Sequence, residues 1–109
     1  MMTLDLVTTY SGTIKNRLEK IKKRGGTETF TDSKYTYVLL ATGERPTGGY
    51  GIEVVDAKEV HLESGSYIQI TAKEIRPKPG DVLIQVLTYP TAVYRLPKTH
   101  LPVKVKWVH

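Results

Sequence analysis

Tyr35-Thr36-Tyr37-Val38-Leu39-Leu40-Ala41 is the stretch that decides the fold, and Gly43-Glu44-Arg45-Pro46-Thr47-Gly48-Gly49-Tyr50-Gly51-Ile52-Glu53-Val54 follows it closely. The first stretch opens with aromatic and β-branched side chains, which suit a pleated, half-buried surface. It closes on four apolar residues in a row. That run predicts a strand covered on both faces, and so a central place in a sheet. Residues 50–55 alternate and read as the next strand. The connection between them holds Gly43, Gly48, Gly49 and Gly51 around Pro46. Glycine permits positive φ and close backbone approach, while proline fixes its own φ and restrains Arg45 before it. The connection therefore reads as shaped rather than slack. Glu44, Arg45, Thr47 and Tyr50 give it a carboxylate, a guanidinium, a hydroxyl and an aromatic ring, a set suited to gripping another protein. A tight turn whose glycines serve geometry alone is the other reading.

Working outward from this core, the N-terminal side changes period. Leu4 and Leu6 alternate with polar residues, as in an opening strand. Ile14, Leu18 and Ile21 then fall at i, i+4 and i+7 and predict a short amphipathic helix over about 13–24, with Ser11-Gly12-Thr13 at its start and Gly25-Gly26 as its stop. On the C-terminal side the signal is β throughout. Strands are expected at 27–30, 60–62, 67–72, 82–87, 92–96 and 103–108, with turns at 31–34 and 63–66 and a proline-bearing loop at 76–81. In the last strand Val103, Val105 and Trp107 alternate with Lys104 and Lys106, and lysines on the outside suit a protected edge. Seven to eight short strands at this spacing, in a β-rich region 27–108, predict a mainly β chain folded as one immunoglobulin-like antiparallel β-sandwich over 1–109, with one short N-terminal helix.

Composition narrows the function. The chain has 109 residues, 39% of them hydrophobic, which suits one domain with one modest core. It has no cysteine, so disulfides, thiolate zinc sites and cysteine nucleophiles are excluded. His61, His100 and His109 are scattered and form no ligand pattern, so no metal and no cofactor are expected. Gly48-Gly49-Tyr50-Gly51 lacks the βαβ context of a dinucleotide fingerprint. Glu53, Asp56, Glu59 and Glu63 read as solvated strand faces. No catalytic pattern is present, and the chain reads as non-enzymatic.

The net charge of +5 resides in one segment: residues 15–24 carry six cations against Glu19, and ten cations balance ten anions elsewhere. The basic helix packs three aliphatic residues on the sheet with a solvated cationic face, or meets an acidic partner, a membrane surface or a nucleic acid. Nucleic-acid binding ranks last, because basic and aromatic residues do not interleave along one stripe. No apolar run approaches the ~20 residues of a membrane span. The doubled methionine at the start reads as an expression start placed upstream of a domain. If an export signal was trimmed there, the place of action is extracellular or the cell envelope; otherwise it is cytoplasmic.

The segment 35–50, with its Gly43-Glu44-Arg45-Pro46-Thr47-Gly48-Gly49-Tyr50 loop, resembles the PrcB-like family of protease-complex subunits. So does the run from Arg76-Pro77-Lys78-Pro79-Gly80-Asp81 through Val82-Leu83-Ile84-Gln85-Val86-Leu87 to Thr88-Tyr89-Pro90. The family pattern is a hydrophobic strand, a G-E-x-P-T-G-G-Y loop, a P-x-P-G-D turn and a strand ending in T-Y-P. The resemblance covers about residues 30–96. It implies a small β-rich domain that binds a protease, of serine or cysteine type, and assists its maturation or stability. The residues it points to are Arg45, Pro46, Thr47, Gly48, Gly49 and Tyr50, helped by Pro77, Pro79, Tyr89 and Pro90. The Pro46-Thr47-Gly48-Gly49-Tyr50 loop is also similar to a loop of chagasin-type cysteine protease inhibitors, which makes inhibition of a papain-like protease the alternative. The inhibitors' Arg-Pro-Trp element is absent: Trp107 has no such neighbours, and Arg76-Pro77 is a partial echo.

Overall fold

A computed structural model describes residues 4–108. In chain order its elements are β1 (Asp5–Leu6), α1 (Gly12–Ile21), β2 (Gly26–Thr31), β3 (Tyr35–Ala41), β4 (Gly51–Leu62), β5 (Gly65–Ile75), β6 (Thr91–Pro97) and β7 (Val103–Val108). The first sheet has the order β1-β6-β3-β2 and the second β4-β5-β7. Among the described residues the chain is therefore mainly β, with two sheets in an open sandwich-like arrangement and one helix. Pairings are antiparallel except β5 with β7. Those two strands are parallel because the chain crosses to β6 in the other sheet before returning, the kind of excursion a parallel pair requires.

The run in β3 is buried on both faces for a physical reason visible in the layers. Val38 and Leu40, with Leu96 of β6, face the second sheet, where they pack with Ile68, Ile70, Ala72 and Ala57. Leu39 and Ala41 face the other way and pack with Val93 and with Ile14, Leu18 and Ile21 of α1. The helix is thus a third layer on the outer face of the first sheet. Full burial of each such leucine is worth about 2–3 kcal/mol. Ser11 caps α1 by accepting from the Ile14 amide. The helix proper ends at Ile21, short of residue 24, and the Gly25 amide closes its last turn on the Ile21 carbonyl (2.8 Å). Asp32 accepts from the Lys34 and Tyr35 amides, both at 2.8 Å, which builds the β2–β3 turn. Those two bonds hold its carboxyl below the ordinary value.

Three expectations need correction. Residues 60–62 are not a separate strand but the end of β4, whose register shifts between Val54 and Asp56. The bulge at Val55 changes the parity of the strand: Ile52 and Val54 face inward before it, and Ala57 after it. The turn expected at 63–66 is confined to Glu63 and Ser64, since Gly65 already pairs with Leu62. Residues 82–87, expected as a strand, form none. Ile84 is tied to Gly48, and a tight turn from the Val86 amide to the Ile84 carbonyl bends the segment at Gln85. A segment so tethered and bent cannot run along a sheet edge, and Val82, Ile84, Val86 and Leu87 are exposed. His61 lies exposed on its strand. His109 and Met1-Met2 lie outside the described residues.

Candidate functional site

Two of the connections that cross between the sheets, residues 42–50 and 76–90, meet at one end of the sandwich. Arg45 and Thr88 form an antiparallel bridge, N–H to carbonyl in both directions (2.8 and 2.9 Å). The Thr88 hydroxyl donates to the Thr47 carbonyl (2.7 Å), and the Gly48 amide donates to the Ile84 carbonyl (3.0 Å). The Thr42 amide reaches the Pro90 carbonyl (3.3 Å), and the Tyr89 hydroxyl donates to Glu44 (3.0 Å). That bond to Glu44, with burial and the Glu44 charge beside it, raises the Tyr89 phenol above its ordinary value. Two loops that are 41 residues apart at Thr47 and Thr88 are thus zipped into one platform.

Two glycines at the crossing have a specific use. Gly43 (φ +93°) passes against the Arg24 and Gly25 backbone, where an added Cβ would lie 3.2 Å from the Arg24 carbonyl carbon. The adjacent Glu44 amide donates to the Lys23 carbonyl (3.0 Å). This contact brings the end of the basic segment to the platform. Gly49 (φ +89°) faces Pro77 and Leu83, at 3.0 and 3.1 Å from an added Cβ, so the 76–81 turn packs on the 42–50 loop there.

Glu74, at the end of β5, anchors the loop to the second sheet. One oxygen accepts from Arg45 Nε (2.6 Å) and the other from Arg76 Nε (3.0 Å). Burial pushes the Glu74 carboxyl up, but hydrogen bonds and charge from the two arginines outweigh it and leave it below the ordinary value. The Arg45 guanidinium also lies 5.8 Å from the Tyr50 ring centroid.

The expected site residues therefore separate into two groups. Thr47, Gly48 and Tyr89 make bonds within the platform, Thr47 also through its hydroxyl to the Gly48 carbonyl. Pro46, Gly49 and Pro79 are exposed, and Tyr50, Pro77 and Pro90 are half-buried. The sequence reading passed over Thr88, Glu74 and Arg24. It also set Trp107 among the inward residues of β7, but the residue is 36% exposed. Trp107 borders an open cleft of about 440 Å³ with Arg24, Thr42, Arg45, Glu74 and Arg76, where the sandwich interior gives way to solvent. Among the described residues no cluster of His, Asp or Glu is arranged to hold a metal, and no helix is long and apolar enough to cross a membrane.

Comparison with known proteins adds one match. A family model described as PrcB C-terminal matches residues 36–97, from within β3 to the end of β6, and so spans both connections. No curated protein and no solved structure matches. Nothing in these comparisons bears on the likeness to chagasin-type inhibitors.

Proposed function

Because the chain belongs to the PrcB C-terminal family, we propose that it is a non-enzymatic accessory domain of a protease complex, docking on the protease and stabilising it or assisting its maturation. The observation that carries this reading is the zipping of the two connections by Arg45, Thr47, Gly48, Ile84 and Thr88. A braced platform loses little conformational freedom on binding, so more of its contact energy is left for affinity. The exposed groups of that platform, Pro46, Gly49 and the half-buried Tyr50, are the contact set. Tyrosine offers a large rigid surface at low entropic cost. Thr47 acts as an internal brace rather than a contact.

The test is a pull-down from the source organism's lysate and culture medium with wild type, Tyr50→Ala and Gly49→Val, each first shown to be folded by circular dichroism. The expected result is a protease captured by wild type, weakened by Tyr50→Ala and lost with Gly49→Val. Equal capture by all three, or nucleic acid as the one species retained, overturns the assignment of the loop. Activity of the captured protease separates the roles: activity kept or prolonged fits an accessory subunit, and activity abolished by wild type alone replaces that reading with inhibition.

A further inference from the structure

The cleft beside Trp107 goes further than the platform and supplies a recognition chemistry. Three guanidinium-bearing residues reach its lining from different parts of the chain: Arg24 after α1, Arg45 in the first connection and Arg76 after β5. Among the described residues Glu74 is the one carboxylate in that lining, and it holds both Arg45 and Arg76. Arg24 has no ion-pair partner among the described residues. Three cations against one anion leave the cleft electropositive. Arg45 is also held in place, since its Nη1 donates to the Glu44 carbonyl (3.0 Å) while its Nε donates to Glu74.

The geometry points to this cleft as a seat for a side-chain carboxylate of the protein partner, carried on an acidic peptide segment. Guanidinium groups bind carboxylates through paired, charge-assisted hydrogen bonds. The exposed Trp107 side chain in the same lining covers the apolar stem of the incoming residue. The inference rests on the docking reading above and specifies its chemistry: the platform makes the broad contact, and the cleft beside it selects an acidic residue.

Trp107 is the single tryptophan of the chain, so its fluorescence reports on the cleft directly. The probe is an acetylated, amidated peptide Gly-Glu-Asp-Glu-Gly, titrated into the full chain at low and moderate salt. Its controls are the isosteric Gly-Gln-Asn-Gln-Gly peptide and inorganic phosphate. The expected result is a saturable change in Trp107 emission with the acidic peptide, weakened about tenfold in Arg24→Gln and weakened by salt. Arg76→Gln, at a second exposed guanidinium, is expected to weaken it as well, and Lys20→Gln, outside the lining, is expected to leave it unchanged. No saturable change, equal binding of the neutral peptide, unchanged binding in both arginine variants, or phosphate binding as tight as the peptide each overturns the inference. The probe contains no protease. A chain that captures a protease but ignores the peptide loses the cleft and keeps the docking reading, and the reverse outcome does the opposite.

Discussion

Residues 38–41 and residues 82–87 are similarly apolar runs with opposite fates. The first is buried to within 2% on both sides. The second leaves Val82 fully exposed and Ile84 exposed by 73%. Hydrophobicity does not separate them; available neighbours do. Residues 38–41 have β2 and β6 in register on either edge, the second sheet on one face and α1 on the other. Residues 82–87 follow a proline-bearing turn and are fixed at Ile84 and Thr88 to the other connection. Their tethers serve the platform, and the platform's geometry denies the segment a sheet.

The largest expected effect tests the buried side of this comparison. Leu39→Ala removes a side chain shared by β3, Val93 and the helix, and should cost about 2–5 kcal/mol in urea unfolding. A loss under about 1 kcal/mol would mean that α1 is not a packed layer. Next comes the crossing of the connections. Gly43→Ala places a Cβ 3.2 Å from the Arg24 carbonyl carbon at φ +93°. Backbone strain of that kind costs about 1–3 kcal/mol. It should loosen the basic segment from the platform, seen as faster amide exchange at Glu44, which donates to Lys23. Unchanged exchange would show that the two segments are not coupled.

These two variants also mark what was legible in advance. The β3 strand, the helix face of Ile14, Leu18 and Ile21, and the shaped character of the glycine loop follow from local pattern: period, turn chemistry and burial on both faces. The strand misread at 82–87 and the bulge at Val55 depend on pairing partners far along the chain, and periodicity holds no information about those. Glu74 was invisible for the same reason. It looks like any strand carboxylate, and its partner Arg45 is 29 residues away. Trp107 was placed by alternation alone, and alternation cannot show where a sandwich ends.

Glu74→Gln tests whether the platform depends on that anchor. The substitution keeps the shape but removes the charge that holds Arg45 and Arg76, and should cost about 1–2 kcal/mol at neutral pH. The native carboxyl is held below its ordinary value. Its contribution is therefore complete above the unfolded value of about 4.3, and is lost as pH falls below that through the lowered native value. The stability gap between wild type and Glu74→Gln should be widest at neutral pH and close progressively in acid. A gap that stays constant from neutral pH to strong acid would assign the loss to packing rather than to charge.

The smallest expected effect returns to the exposed run and sharpens the comparison most. Val82→Ser removes an apolar side chain already in solvent, so stability should stay within about 0.5 kcal/mol of wild type. The identical change at Val38, which is fully buried, should cost several times more. A melting temperature lowered by Val82→Ser would mean that the run is packed in solution, against a neighbour that the isolated chain does not show. An unchanged melting temperature with unchanged protease capture would make the run a by-product of the tethers at Ile84 and Thr88. Unchanged stability with weakened capture would place the run beside Pro46, Gly49 and Tyr50 in the contact surface, and its exposure would then have a use in binding rather than in folding.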